Sequence, residues 1–125
     1  MNISRNFLVI GACYLLVGIL FGMYMGGSGD HTLAPLHAHI NLLGFTLMTL
    51  FGLVYRQIPA LVDGWMARTH FLLHQSGALV LLVALFLMMS GTLPETTIGP
   101  VMPVAELAVL IGVAVFGLNL WRNAG

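Results

Sequence analysis

Residues 35–45, PLHAHINLLGF, carry two histidines, His37 and His39, in a run that is otherwise almost entirely apolar. An imidazole can bind a metal ion through one ring nitrogen, and it can also take up or release a proton near neutral pH. An ionisable side chain in such an apolar setting is costly and is a functional candidate by default. The pair indicates ligation, and contact with water or hydrogen bonding between helices is the alternative that needs no cofactor.

The spacing of the two histidines decides what they can bind together. On a helix, residues two apart project about 200° from each other. His37 and His39 therefore face opposite ways, and each is a single ligand for its own side of the helix rather than half of a chelating pair. Asn41 follows His37 by one turn, and Gly44 and Met48 continue the same face.

Other ionisable residues are candidates of lower rank. At about 1.5 Å rise per residue, His70 and His74 lie roughly 15 Å from the depth of the first pair, so one ion does not bind both pairs. His70 could cap its helix or relay protons, whereas His74 and the loop residue His31 are more simply explained by hydrogen bonding. Glu106 falls near the depth of the first pair, where it could pair with a histidine, carry a proton or reach the surface.

Sulfur ligands and small residues allow further interpretations. Met23 and Met25 could bind copper, although methionine is also a common filler of apolar packing. A lone Cys13 excludes a disulfide within the chain. No phosphate-binding loop or nucleophile motif is present, so hydrolysis and phosphoryl transfer have no support. Three glycines at every fourth position favour close helix packing: Gly18, Gly22 and Gly26.

The elements that carry these residues are membrane helices. The chain has 125 residues, of which 59% are hydrophobic and 6% charged, and its mean hydropathy is +1.01. A span takes about 20 apolar residues, and four segments reach that length: 6–27, 34–58, 66–90 and 101–121. Short connections rich in turn residues join them. We therefore predict one all-α domain, residues 1–125, with four transmembrane helices in an up-down arrangement in a lipid bilayer.

Charge predicts the orientation of the domain. Four antiparallel helices bring all the arginines to one face of the membrane, and the positive-inside rule then places both termini in the cytoplasm. A bacterial-type inner membrane is the predicted location, and the near-neutral charge balance gives no sign of a nucleic-acid partner. The arginines are Arg5, Arg56, Arg68 and Arg122.

Residues 35–45 resemble the tenth helix of subunit I of the haem-copper oxidases, a superfamily that includes cytochrome c oxidases and nitric oxide reductases. In that helix an H-x-H pair binds two haems, one on each side. The later Thr69-His70-Phe71, with Gly77 following, and the proline at position 59 are similar to the segments that follow there. Since subunit I consists of three four-helix arcs, the chain resembles one arc standing alone, as in small subunit I-like proteins.

The resemblance implies haem b as the cofactor. By this resemblance His37 would match the ligand of the high-spin haem and His39 that of the low-spin haem, while Asn41, Gly44 and Glu106 would shape or tune the site. His70 would then be a candidate for contacting a haem propionate. The histidines of the oxidase copper site and its cross-linking tyrosine have no counterpart here, so oxygen reduction by a single chain is not expected.

A low-spin haem needs two axial ligands at one depth, and one chain offers His37 and His39 facing apart. We therefore predict self-association with haem between subunits, a homotrimer first and a dimer second. Electron transfer or binding of nitric oxide or oxygen would be the function, with a quinol or a cytochrome as candidate redox partner. Two alternatives stay open. One is a copper or other metal site built from the histidines and methionines near the outer face of the membrane, such as Met23 and Met25. The other is a cofactor-free assembly subunit of a respiratory complex.

Overall fold

A computed structural model describes all residues, Met1–Gly125, and its regular structure is helical throughout. The predicted all-α fold with four membrane-length helices is confirmed, and each predicted segment agrees with its helix to within three residues at either end. The long helices are α1, Ile3–Ser28; α2, Ala34–Gln57; α3, Trp65–Met89; and α4, Met102–Asn123. A 3₁₀ turn at Pro59–Val62 and a short helix at Glu95–Ile98 lie in the connections.

Local residues set the ends of the helices. The side chain of Asn2 accepts a hydrogen bond of 3.0 Å from the backbone N–H of Arg5, which caps the start of α1. Gly29 ends that helix in the left-handed conformation, with φ of 70°. Pro35 lies in the first turn of α2, where a missing N–H costs little. The caps thus agree with the boundaries that hydropathy predicts.

The first two helices form an antiparallel hairpin with close backbone contacts. At one end, the Ser4 hydroxyl donates a hydrogen bond of 2.8 Å to the carbonyl of Gly52. Midway along, the ring of Tyr14 lies over Gly44, where an added Cβ would be 2.5 Å from the ring. Side chains larger than glycine at positions 44 and 52 would push α1 and α2 apart.

The third helix occupies the centre of the domain. In its most apolar window 44% of residues are buried, against 17% for α1 and for α4. Gly77 allows α4 to approach, since a Cβ there would lie 2.8 Å from the carbonyl of Ala105. The main core joins side chains of the first three helices, among them Phe7, Phe51, Tyr55 and Phe71.

Outside this core, the helices present apolar side chains to their surroundings. Only 28 of 125 residues are buried, and many leucines, valines and isoleucines are more than a third exposed. Such a surface is stable when lipid covers it, so the domain is a multi-pass membrane protein. Because consecutive long helices are antiparallel, all four arginines lie at one end of the domain, which we call the arginine end.

The middle of α2 departs from regular α-helix. Ile40–Thr46 is a π-helix of seven residues, and it ends with the N–H of Leu47 bonded to the carbonyl of Leu42, five residues back. The segment INLLGFT contains glycine, asparagine and β-branched residues, which are weaker α-helix formers. Hydropathy predicts a helix here but does not distinguish the two types. π segments within α-helices often occur at functional sites.

Candidate functional site

His37 lies in the contact between α1 and α2. Its Nδ1 donates a hydrogen bond of 2.9 Å to the carbonyl of Gly18, and its Nε2 accepts one of 3.2 Å from Asn41. The half-buried ring also covers Gly22, where an added Cβ would lie 3.2 Å from Cε1. Both ring nitrogens are thus engaged inside the chain.

His39 has the opposite surroundings. It is exposed, and its Nδ1 donates a hydrogen bond of 2.7 Å to the carbonyl of Pro35 in its own helix. Because a carbonyl only accepts, the Nδ1 carries the proton and the exposed Nε2 keeps its lone pair when the ring is neutral. This is the arrangement of a metal-ligating histidine whose other nitrogen is held by a carbonyl.

The two histidines therefore face different environments, one towards α1 and one away from it. The face that follows His37 is filled by α1: Asn41 packs against Gly18, and Gly44 packs against Tyr14. Within one chain no space is left on that side for a large planar group. The surface below His39 is apolar and open, with Leu42, Leu50 and Leu53 about half exposed.

The structure does not bring Glu106 or the methionines to these histidines. Glu106 is exposed on α4 and makes no hydrogen bond or ion pair within the chain. Met23 is 67% exposed whereas Met25 is buried, so the two thioethers do not face one space. A site that combines His37, His39 and Glu106 would need residues from more than one copy of the chain.

His70 and His74 form a second constellation, deep inside the domain. Both side chains are fully buried, and their ring centroids are 5.9 Å apart. Nδ1 of His70 shares a hydrogen bond of 2.8 Å with the Tyr55 hydroxyl. Nε2 of His74 donates to the carbonyl of Leu43, 3.1 Å away in the π segment of α2. The π segment thus provides a carbonyl for a side chain of the neighbouring helix.

Each ring of this pair has one nitrogen without a partner, namely Nε2 of His70 and Nδ1 of His74. Aromatic rings surround the pair. Phe51 meets both rings nearly edge to face, at centroid distances of 4.5 Å and 5.1 Å. Leaving a buried polar atom without a hydrogen bond costs about 1–3 kcal/mol, so two such atoms in neighbouring rings call for an explanation.

Sequence reasoning ranked this pair below His37 and His39, because burial is a property of the tertiary structure. The available signal was the spacing: residues four apart lie on one face of a helix, whereas residues two apart do not. The partners Tyr55 and Leu43 lie on a different helix, and no spacing along the chain relates them to His70 and His74.

The loop between α1 and α2 holds the Asp30 carboxylate in a set of local hydrogen bonds. Asp30 accepts hydrogen bonds from the Thr32 hydroxyl at 2.6 Å and from the Thr32 backbone N–H at 2.9 Å. These bonds lower the pKa of the Asp30 carboxyl, the hydroxyl contributing most. His31 lies in the same loop, exposed, with its Nδ1 bonded to the carbonyl of Gly29.

Comparisons with known proteins found no match to this chain. No protein-family model matches the chain. No curated protein and no solved structure matches it either. The likeness of residues 35–45 to oxidase subunit I stays a prediction from those residues and the segments that follow them.

Proposed function

We propose that this chain is a membrane protein that binds haem b through His39, at a contact between copies of the chain, and there transfers electrons or binds nitric oxide or oxygen. One observation carries the proposal: His39 is an exposed imidazole with a free Nε2 and an anchored Nδ1, above an apolar surface. Haem is apolar and planar, and such a surface suits one wall of its site.

The chain's own residues would hold this group in defined ways. His39 would hold the group through its Nε2, and the Pro35 carbonyl keeps the ring oriented through the hydrogen bond to Nδ1. His37 and Asn41 act as positioning residues, because their hydrogen bonds join α2 to α1 just beneath the ligand. A bound haem b would supply either one-electron transfer or an open iron position for a gas, depending on its second ligand.

The source of that second ligand distinguishes two assemblies. His37 would first have to leave Gly18 and Asn41, so a ring in which His37 of one copy meets His39 of the next has a structural cost. Two exposed His39 side chains can meet without such a change across a twofold axis. The hydrogen bonds thus favour a dimer over the trimer that the oxidase plan implies.

The test is the visible spectrum of the protein purified in mild detergent, when oxidised, reduced, and reduced with nitric oxide. We expect a Soret band and sharp reduced α and β bands that are lost in His39→Ala. They should survive in His31→Ala, which removes an exposed histidine of the neighbouring loop. A shift with nitric oxide would identify an open position at the iron.

Other outcomes would contradict the proposal. Haem that is retained in His39→Ala would place the ligand elsewhere. A colourless protein from haem-replete cells would favour a cofactor-free assembly subunit. Copper lost on substitution of Met23 and Met25 would favour metal handling by the outer residues. Monomers that still hold haem would exclude the site between copies.

A further inference from the structure

We infer that His70 and His74 form a separate site that binds one copper(I) ion inside the domain, independently of any haem at His39. The two rings lie one turn apart on α3, and both are fully buried. Their centroid separation of 5.9 Å is one that an ion bonded to a nitrogen of each ring at about 2.0–2.1 Å can bridge.

The hydrogen bonds leave free the nitrogens that such an ion needs. Nε2 of His74 donates to the Leu43 carbonyl, so the neutral ring has its lone pair on Nδ1. Nδ1 of His70 is bonded to the Tyr55 hydroxyl, and when it donates there, the lone pair is on Nε2. These two nitrogens are the unpartnered atoms of the pair. Ligating histidines commonly have their other nitrogen held in this way.

The residues around the two histidines favour copper(I) over a divalent ion. No group of three or more His, Cys, Asp or Glu side chains is placed to hold a metal ion together, so the pair offers two neutral ligands and no carboxylate. The thioether of Met48 is also buried, but its sulfur accepts a hydrogen bond of 3.3 Å from Gln75. Two imidazoles in an apolar space suit a monovalent ion of low coordination number, whereas a divalent ion would bring an uncompensated second charge into the interior.

Aromatic rings complete this environment. Phe7 and Phe116 pack on the His70 ring at centroid distances of 5.2 Å and 4.9 Å, and Phe51 contacts both histidines. The rings surround the pair with apolar surface, and a cation that lies over the face of an aromatic ring is attracted to it. Tyr55 also lines an open cavity at the arginine end, so one side chain separates that cavity from His70.

The experiment is an anaerobic copper(I) titration of the purified full chain in mild detergent, against a coloured chelator that competes for the ion. We expect one equivalent per chain, lost in His70→Gln and in His74→Gln. Glutamine keeps a donor for the Tyr55 or Leu43 oxygen but removes the imidazole. Matched controls are His31→Gln and His39→Gln, which should bind copper as the unchanged protein does.

A second variant tests the positioning role of Tyr55. Tyr55→Phe keeps both imidazoles and removes the hydroxyl bonded to His70, so we expect a copper(I) affinity about 10–100-fold lower. Unchanged affinity in this variant, together with binding that survives in His70→Gln, would overturn the assignment.

X-ray absorption of the copper-loaded, unsubstituted protein keeps the inference testable if the glutamine variants fail to fold. Two nitrogen neighbours with imidazole scattering are expected, and sulfur neighbours would overturn the site, as would the absence of binding. The haem and copper proposals are tested by different variants. His39→Gln should remove haem and leave copper binding, whereas His74→Gln should remove copper binding and leave haem.

Discussion

At the scale of single residues, the chemistry of each histidine depends on which ring nitrogen is already bonded. His37 and His39 both donate Nδ1–H to a carbonyl, but the Nε2 of His37 is occupied by Asn41 and that of His39 is free. His74 uses Nε2 instead, which leaves Nδ1. The three histidines therefore differ in which ring nitrogen, if any, is left to bind a metal.

Asn119 is a buried polar residue that links α4 to the turn after α2 at the arginine end. Its amide nitrogen donates a hydrogen bond of 2.9 Å to the carbonyl of Leu61 in the turn after α2, and the side chain is 1% exposed. Asn119→Ala leaves that buried carbonyl without a donor, so we expect the free energy of unfolding to fall by about 1–3 kcal/mol. Unfolding in a denaturing detergent measures it. Asn6→Ala, a half-buried asparagine whose side chain makes no hydrogen bond within the chain, should have little effect.

Asp30 provides a prediction about pH. Bonds from Thr32 hold its carboxyl pKa below the usual range, so the ionised form stabilises the loop at pH values above the ordinary carboxyl pKa. This stabilisation is lost as the pH falls through the lowered value. Thr32→Val removes the hydroxyl bond, and the pKa of Asp30, followed by carboxyl-carbon NMR, should rise. Thr92→Val in the opposite loop of the same membrane face is the control and should leave that pKa unchanged.

At the scale of elements, glycine determines how closely α1 approaches α2. The four-residue repeat predicts three packing glycines, and two of them have this role. A Cβ on Gly18 would collide with the Asn41 amide, and one on Gly22 would press on His37, whereas Gly26 has nothing within 4 Å. Gly26, the last glycine of the repeat, therefore lies outside the contact between α1 and α2.

A substitution series tests this difference. Gly18→Ala should displace Asn41 and destabilise the domain by about 1–3 kcal/mol, the usual cost of overpacking. Gly26→Ala adds the same methyl group in open space and should be neutral or slightly stabilising, because alanine favours helix. Unfolding in denaturing detergent compares them. Equal losses in the two variants would show that the contact between Gly18 and Asn41 does not set the effect.

At the scale of the whole molecule, the four helices alternate in direction, so both termini lie on one side of the membrane. The arginines gather at that same end, which predicts that the side is the cytoplasm. A green fluorescent protein fused after Gly125 should fluoresce, and alkaline phosphatase fused there should be inactive. Fusions in the loop after Ser90 should behave in the opposite way. Active phosphatase at the C-terminus would invert the orientation.

The sequence determined the fold class, the four spans and the opposed directions of His37 and His39, because hydropathy and helical spacing are local properties. It also placed Asn41 on the face of His37, where the structure shows the two side chains bonded. These features need no knowledge of neighbouring helices.

Only the tertiary structure decided which histidines are free. Burial of His70 and His74, the Tyr55 hydroxyl beside them and the Leu43 carbonyl of the π segment all depend on how α2 meets α3. The occupation of the His37 face by α1 depends likewise on Gly18 and Gly22 meeting α2. Side chains of different helices are brought together by packing. The periodicity of apolar residues along the chain does not indicate which polar atoms then form hydrogen bonds with each other.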